Sequence, residues 1–380
     1  MRKATTIVNL DGLFEDQFLA SSPPIYQTAT FDLGDDPSSA RYDYTRSCNP
    51  TRDILQHQVA RLEKGKYGFA FTTGMAAINA LTGILKPGEH IIASDDLYGG
   101  TERLLNQRLL EYRGITTTYV DFTKIDKFKS AFLPNTRLVI FETPSNPLQK
   151  IANIGIVSEI THAKNAYVAL DNSFMSPFLQ QPLDFGVDVV IHSATKYLSG
   201  HADASGGVLV TNNQELSEKI AFIQNAEGSA ISPFESWLIL RGLKTLKIRV
   251  IEQEKNAQSI IEFLKTEKLI KNIYYPTLAT HPNAKTHLKQ ASGGGGIICV
   301  RTGDHIITQQ IVKNLELFKY SVSFGSINST VNIPAKTSHL SRSTEGRESI
   351  QDLIRFSIGI EDVQDLIDDL KSTFAQIRQI

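Results

Sequence analysis

A lysine and two hydroxyl side chains follow an apolar run in the middle of the sequence. In the segment "VDVVIHSATK", Ser193 and Thr195 come just before Lys196. Burying a lysine costs free energy unless the amine has a partner or a chemical task. An amine able to form a Schiff base, next to hydroxyls that can bind a phosphate, is part of what pyridoxal 5'-phosphate requires from a protein.

The other groups that this cofactor needs stand at the ends of neighbouring segments. Asp171 ends the run "AYVALD", and a carboxylate beside the pyridine nitrogen keeps that nitrogen protonated, which improves the ring as an electron sink. The segment "TTGMAA" opens a predicted helix, where the N–H groups of Gly74 and Met75 and the helix dipole attract a phosphate. Tyr98 follows another apolar run and could stack on the cofactor ring.

Each of these residues also has a purely structural interpretation. Lys196 could be an exposed lysine beyond a strand, and Asp171 could cap a helix that begins at "NSFMSP". Tyr98 could be an ordinary aromatic residue of the core or of its rim. His192 and His201 are interpreted as structural histidines rather than acid–base groups.

The predicted elements explain how these residues meet. Apolar runs without polar alternation occur at "HIIAS", "RLVIFET", "AYVALD" and "VDVVIHS", with predicted helices such as "IGIVSEITHAKNA" between them. This pattern predicts an α/β protein with a parallel sheet covered on both faces. Ligands of such sheets bind at the carboxyl ends of the strands. Asp96, Tyr98, Glu142, Asn146 and Asp171 all follow strand ends, so we expect them at one site.

The pattern changes after about residue 240. The segment "ESWLILRGLKTLKIRVIEQEKNAQSIIEFLKTE" predicts one or two long amphipathic helices. It is followed by a glycine turn and strand in "GGGGIICVRTG" and by a C-terminal helix in "EDVQDLIDDLKSTFAQIRQI". A second, smaller α/β domain is therefore expected.

Composition excludes several classes of function. The 380 residues are 41% hydrophobic and 21% charged, with a net charge of −1, which gives no sign of a nucleic-acid or anionic-membrane partner. No apolar segment is long enough to span a bilayer and no signal peptide is visible, so a cytoplasmic protein is expected. Cys48 and Cys299 are too few for a disulfide framework and lack metal-ligand spacing; Cys48 is given no catalytic role and no metal site is expected.

Eight segments in order resemble the pyridoxal-phosphate enzymes of cysteine and methionine metabolism, the group of cystathionine β-lyase, γ-lyase and γ-synthase. They are "YDYTRSCNPTR", "TTGMAA", "SDDLYGGT", "ETPSNPL", "ALDNSF", "HSATKYLSGH", "SPFESWLILRGLKTL" and "LIRFSIGIED". The resemblance runs from about residue 22 to the C-terminus. It implies the fold type I, aspartate aminotransferase-like architecture, with a large domain built on a mostly parallel seven-stranded sheet and a smaller C-terminal α/β domain.

The resemblance also implies roles for single residues. It makes Lys196 the Schiff-base lysine, Asp171 the partner of the pyridine nitrogen and Tyr98 a stacking and catalytic tyrosine. The positions that match phosphate-binding residues of the family are Gly74, Met75, Ser193 and Thr195. On the substrate side, Arg355 matches the arginine that binds the α-carboxylate, with a planar fork of donors suited to that task.

Further roles implied by the resemblance concern the substrate and the assembly. Asn146 matches a residue that contacts the ring hydroxyl of the cofactor or the substrate carboxylate, and Ser323 one that steadies the catalytic lysine. Tyr44 and Arg46 match a pair that completes the site of a neighbouring subunit in a homotetramer built from two dimers. The implied division of the chain is an N-terminal arm over 1–46 that contacts the neighbouring subunit, a cofactor-binding domain over 47–246 and a smaller domain over 247–380.

One region departs from the commonest family pattern. Many γ-synthases and γ-lyases have glutamate before the serine that matches Ser323, where it can meet the distal ammonium of cystathionine; this chain has Val322. Ser326 and Asn328 in "SFGSINST" are also unusual. Asp43 could meet the distal amine instead.

These features favour a carbon–sulfur lyase that cleaves cystathionine by β-elimination to homocysteine, pyruvate and ammonia. Three alternatives stay open. They are a cystathionine γ-lyase, a γ-replacement enzyme such as a cystathionine γ-synthase or an O-acylhomoserine sulfhydrylase, and a non-catalytic protein on the same fold.

Overall fold

The computed structural model of the protein describes residues 1–337 and 348–379 and contains two β-sheets. The larger sheet has seven strands in the order β1-β7-β6-β5-β4-β2-β3. The strands are β1 Tyr67–Phe71, β2 His90–Ser94, β3 Thr116–Val120, β4 Thr136–Glu142, β5 Tyr167–Asp171, β6 Val189–Ser193 and β7 Gly207–Thr211. Strands β2 to β6 pair in parallel, whereas β7 runs antiparallel to both β6 and β1. The prediction of a mostly parallel seven-stranded sheet is confirmed.

The central strands are buried on both faces, as their continuous apolar sequences require. In β4, Val139 and Phe141 belong to the hydrophobic core on one face, and Leu138 and Ile140 to the core on the other. Alternate side chains of a strand point to opposite faces, so a strand without polar alternation must be covered twice. Helices provide that cover.

The helices follow the predicted segments. Those of the first 240 residues or so are α1 Lys3–Val8, α2 Pro50–Leu62, α3 Gly74–Gly83, α4 Gly99–Arg103, α5 Leu110–Arg113, α6 Ile125–Ser130, α7 Ile154–His162, α8 Ser176–Leu179, α9 Gln214–Glu227 and α10 Pro233–Leu243. A π-helical segment, Leu104–Leu109, joins α4 to α5. Single 3-10 turns lie at Pro37–Ser39, Pro182–Phe185 and Pro334–Lys336. Pro233 at the start of α10 suits a first helical turn, where its missing N–H is not needed.

The smaller sheet is formed by the C-terminal part of the chain. Its five strands have the order β10-β11-β12-β9-β8. They are β8 Asn272–Tyr274, β9 Ile297–Arg301, β10 Lys319–Tyr320, β11 Thr330–Asn332 and β12 Leu353–Ser357, and the helices of this part are α11 Leu246–Leu264, α12 Ala284–Gln290, α13 His305–Asn314 and α14 Val363–Ile377. The long amphipathic segment forms two helices, α10 and α11. The division of the chain at residues 46 and 246 stays a prediction.

Strand register places several polar residues side by side. Glu142 at the end of β4 pairs with Asp171 at the end of β5, and Asp171 pairs with Ile191 of β6. The carboxyl ends of these three parallel strands therefore share one edge of the sheet, and Lys196 follows three residues after β6. In the described part of the chain no helix combines the length and apolarity needed to cross a bilayer.

Candidate active site

A cavity of about 560 Å³ lies at the carboxyl ends of the parallel strands. It is bounded by the larger sheet and by residues of the C-terminal part of the chain, which forms the smaller sheet. It brings together most of the site residues predicted from the sequence. Those that line it are Gly74, Met75, Tyr98, Asn146, Asp171, Ser193, Thr195, Lys196, Val322, Ser323 and Arg355. Residues separated by up to 281 positions in the chain thus face one space.

Lys196 occupies the wall of this cavity. Its Nζ donates a hydrogen bond to Ser323 Oγ at 2.6 Å. Burial and the nearby positive charge of Arg355 lower the pKa of the Lys196 ammonium, the charge of Asp171 raises it, and together they bring it to about 8. An amine with this pKa is neutral in a sizeable fraction of molecules near neutral pH, which suits a nucleophile and a base.

Asp171 and Glu142 form a pair of adjacent carboxyl groups. Burial raises the pKa of both, and for Glu142 the neighbouring Asp171 charge adds to the rise. Asp171 accepts a hydrogen bond from Ser173 N at 2.9 Å and is stabilised as an anion by the charges of His192 and Lys196. We therefore place the negative charge on Asp171 and the proton on Glu142.

The alternative interpretation of Asp171 as a helix cap does not match the structure. The short helix α8 begins at Ser176, and the residue before it, Met175, makes no side-chain cap. Asp171 lies instead on the cavity wall at the end of β5. A carboxylate in this position can meet a protonated ring nitrogen.

Arg355 is buried in the middle of β12, with 2% of its surface exposed. Its Nη1 donates to Asn146 Oδ1 at 2.9 Å, and its Nη2 donates to the Ser323 carbonyl oxygen at 3.0 Å. Its Nε is buried and has no hydrogen-bond partner among the described residues. Arg355 lines the cavity, and a buried guanidinium there, with more N–H donors than its two hydrogen bonds use, is suited to a carboxylate ligand. This burial distinguishes Arg355 from a surface arginine.

The start of α3 forms an end of the cavity suited to an anion. Thr73 caps this helix by accepting a hydrogen bond from Ala76 N, and Gly74 is the first helical residue. A Cβ at Gly74 would lie only 3.1 Å from Ser193 Cβ, so glycine keeps this narrow space open. The first N–H groups of a helix have no carbonyl partner within it. They can therefore bind a phosphate together with the Ser193 and Thr195 hydroxyls.

The residues present fit pyridoxal 5'-phosphate. Lys196 supplies an amine for its aldehyde, Asp171 an anion for its ring nitrogen, and the α3 N-terminus a site for its phosphate. Tyr98, directly before α4, lines the same cavity and is placed to contact the ring. These assignments of single residues stay predictions, which the following measurement tests for Lys196.

We predict that the cofactor-free protein captures pyridoxal phosphate faster as the pH rises through about 8. Only the neutral amine attacks an aldehyde, so well below this pH the rate should fall about tenfold per pH unit. Stopped-flow absorbance of the cofactor gives the rate at each pH. A midpoint near 10.5, the ordinary value for lysine, would show that burial leaves Lys196 unperturbed.

Three predicted residues lie outside this cavity. Arg46 Nη1 donates to the main-chain and side-chain oxygens of Asn225, at 2.8 and 2.9 Å. Tyr44 is exposed, and Asp43 accepts a hydrogen bond from Tyr44 N at 2.6 Å. Within one chain, none of the three lines the cavity that holds Lys196.

The two histidines of the lysine segment make structural contacts. His192 Nε2 lies 2.6 Å from Glu63 Oε1, and both side chains are almost completely buried. His201 Nδ1 lies 2.6 Å from the Ser199 carbonyl oxygen. These contacts agree with the interpretation of both residues as structural rather than acid–base groups.

Glu142 and Phe324 are among the cavity residues to which the sequence assigns no role. Glu142 is recognisable only as a polar residue at a strand end, although its Oε1 accepts a hydrogen bond from Tyr98 N at 3.2 Å. Phe324 carries no polar group, but its ring centroid lies 5.0 Å from Lys196 Nζ. Its position next to Ser323 in "SFGS" was the one available signal.

Comparisons with known proteins agree with the site. The family model described as Cys/Met metabolism PLP-dependent enzyme matches residues 4–375. The chain is 44% identical over 374 residues to the chloroplastic cystathionine beta-lyase of Arabidopsis thaliana, covering 98% of this chain and 80% of that protein. It is 37% identical over 380 residues to the cystathionine gamma-lyase of Bacillus subtilis, covering 99% of this chain and 100% of that protein.

A solved structure gives the same result at the level of the fold. The crystal structure of cystathionine gamma-lyase from Lactobacillus plantarum, complexed with L-serine, superposes with a TM-score of 0.96 at 38% sequence identity and covers 100% of both chains. The family match, the relatives and the cavity all agree on an enzyme whose cofactor is pyridoxal phosphate. The chain belongs to the Cys/Met metabolism family of PLP-dependent enzymes.

Proposed function

We propose that this enzyme is a carbon–sulfur lyase that cleaves cystathionine by β-elimination. With one water, the products are homocysteine, pyruvate and ammonia. The observation that carries the proposal is the cavity itself, in which Lys196 and Arg355 share one space with an apolar wall that includes Val322. An amine and a buried guanidinium suit the amino-acid end of the substrate, and the apolar wall suits its thioether.

The residues of the chain have separate tasks in this reaction. Bound pyridoxal phosphate supplies the electron sink for the charge that develops at the substrate α-carbon. Arg355 binds the α-carboxylate, with Asn146 and the Ser323 carbonyl fixing the guanidinium plane. Lys196 as a neutral amine takes the α-proton, and Ser323 Oγ orients that amine at 2.6 Å. The Cβ–S bond then breaks, and the sulfur leaves with the electron pair and gains a proton.

The preference for β- over γ-elimination rests on the wall next to Ser323. Val322 lines the cavity with 63% of its surface exposed. A valine gives no anionic partner for the distal ammonium of cystathionine, so this wall does not fix the distal half of the substrate. Many γ-synthases and γ-lyases have glutamate at this position, so valine here favours the β-reaction. The relative with 44% identity is named a β-lyase, which supports the same choice.

Cystathionine γ-elimination is the second candidate. The relative at 37% identity and the solved structure at 38% are both named γ-lyases. The γ-reaction needs a second deprotonation, at the β-carbon, and Lys196 could perform it if the substrate were bound in a different register. The substrate position over Lys196, rather than a new catalytic group, therefore separates the two reactions.

The test is identification by mass spectrometry of the keto acid that the holoenzyme releases from cystathionine. We expect pyruvate with homocysteine. A product mixture of 2-oxobutyrate with cysteine would overturn β-elimination in favour of the γ-lyase. If no keto acid forms, activated homoserine with an added thiol is tested next, and the lyase assignment is lost.

A pair of variants tests whether residue 322 contributes to the choice. Val322→Glu introduces an anion at the cavity wall, and Val322→Gln is the matched control with the same length and no charge. We expect Val322→Glu alone to increase the share of 2-oxobutyrate. Equal product ratios in both variants would show that residue 322 does not set the substrate register.

We also propose that the enzyme is a homotetramer in which Tyr44 and Arg46 complete the site of a neighbouring subunit. Both residues lie outside the cavity of their own chain, and Tyr44 is exposed. Sedimentation analysis of the holoenzyme should give four chains per particle. A monomer that is fully active would overturn the proposal.

A further inference from the structure

Phe324 lies in a fixed turn against the cavity. Its neighbours Ser323 and Gly325 both adopt a left-handed backbone conformation, with φ of 78°. Gly325 N donates to Ser357 Oγ at 2.9 Å, and a Cβ at Gly325 would come 2.9 Å from Tyr197 N. The turn therefore packs directly on Tyr197, the residue that follows Lys196. The Phe324 side chain at its centre has little freedom.

The Phe324 ring contacts two cations. Lys196 Nζ lies over the ring at 5.0 Å from its centroid, and Arg355 Cζ lies over it at 5.3 Å. Both distances fall within the range of cation–π attraction, in which the negative potential of a ring face stabilises a positive charge. Phe174 meets the same ring edge-on, with centroids 4.6 Å apart and planes at 90°. This contact sets the orientation of the ring.

Other charges near the two cations do not perform the same task. Burial and the charge of Arg355 lower the pKa of Lys196, whereas the charge of Asp171 raises it. Burial lowers the pKa of Arg355. The groups that raise it include the thiol of Cys299, the hydroxyls of Tyr197 and Tyr98, and the carboxyl of Glu142. An acidic residue between the cations would form ion pairs that compete with the substrate carboxylate. An aromatic ring attracts both cations and leaves their hydrogen-bond donors available.

We propose that Phe324 is a positioning residue whose ring holds the Lys196 amine and the Arg355 guanidinium in the arrangement that the α-amino acid end of the substrate requires. The inference rests on the proposed use of these two residues but not on the identity of the thioether. It predicts an effect specific to the aromatic ring, beyond the volume that the ring fills.

The test replaces the ring by an aliphatic side chain in Phe324→Leu. In the cofactor-free protein the Lys196 ammonium loses the attraction of the ring, so its pKa should fall by about half to one unit. Capture of pyridoxal phosphate at pH 7 should then be about threefold to fivefold faster than in the wild type. In the holoenzyme the Arg355 guanidinium loses the same support, so KM for the amino-acid substrate should rise about threefold to tenfold.

A packing defect would slow cofactor capture. Faster capture combined with a higher KM is therefore a result that loosened packing would not give. Phe324→Tyr keeps the ring and should match the wild type in both measurements. Phe318→Leu is the matched control for the loss of a buried ring, since Phe318 packs edge-on against Phe356 at 5.4 Å, away from both cations. Phe324→Met serves as a second aliphatic variant if Phe324→Leu does not fold.

The proposal is overturned if the capture midpoint of the aliphatic variants stays unchanged or moves to higher pH, or if Phe324→Tyr behaves like Phe324→Leu. Failure of the proposed function would look different. In that case the holoenzyme would release no keto acid from cystathionine, while the shift in the capture profile would still be seen.

Discussion

Lys196→Ala is expected to lose at least about 10³-fold in kcat while keeping its fold, because it removes both the amine that binds the cofactor aldehyde and the base that takes the α-proton. Steady-state release of keto acid gives kcat, and circular dichroism reports the fold. The absorbance of the purified variant should also lack the change that follows covalent capture of the cofactor. Near-normal turnover in this variant would contradict the assignment of Lys196.

Lys219→Ala is the matched control for loss of a lysine. Lys219 lies on the surface of α9 and forms an ion pair with Glu215 at 2.6 Å, one helical turn away. Exposed pairs of this kind contribute little to stability, so this variant should keep both turnover and cofactor capture. A comparable loss in both variants would point to a general effect of removing positive charge.

Arg355→Lys is expected to raise KM for the substrate about 100-fold, with a smaller change in kcat. A lysine ammonium is a point charge. Its single nitrogen cannot replace both Nη1 and Nη2, which donate to Asn146 Oδ1 and to the Ser323 carbonyl, and also bind a carboxylate in the plane of the guanidinium. Because the contact holds the substrate in both ground state and transition state, its loss should appear mainly in KM. Steady-state kinetics over a range of substrate concentrations separates the two constants.

Arg301→Lys provides the control for this substitution. Arg301 lies on the adjacent strand β9 and pairs with Asp352 outside the cavity. The variant should keep the wild-type KM. If Arg355→Lys also keeps the wild-type KM, the carboxylate of the substrate must bind elsewhere.

The strands of the larger sheet were predictable because their sequences are almost continuously apolar. Segments such as "HIIAS" are apolar at every position except the ends, which only a doubly covered strand tolerates. The order of the strands was not predictable in the same way. An apolar run shows that a strand is buried, but it does not show which strand lies beside it, and β7 beside β1 is a neighbour distant in sequence.

The site was predictable where it depends on strand ends. Asp171 and Lys196 follow β5 and β6, so the parallel sheet alone brings them near each other. The contact of Lys196 with Ser323 joins positions 127 residues apart, and only the packing of the smaller sheet against the cavity creates it. The motif resemblance indicated this contact, whereas the residue pattern did not.

The roles of Phe324 and Glu142 could not be predicted from residue type. A phenylalanine in a turn gives no polar signal. Its contacts with two cations, Lys196 and Arg355, exist only in the folded chain. Burial raises the pKa of Glu142, and strand register places it beside Asp171, whose charge raises it further. Neither arrangement can be read from the local sequence.

The backbone conformation of Ser323 affects thermal stability, and its side chain contacts Lys196. A serine with φ of 78° occupies a conformation that glycine adopts without a steric penalty, at a cost of about 1 kcal/mol or more in folding free energy. Glycine at this position would remove that backbone cost, but it would also remove the hydroxyl that accepts a hydrogen bond from Lys196. A selection for thermal stability at this position should therefore demand turnover at the same time.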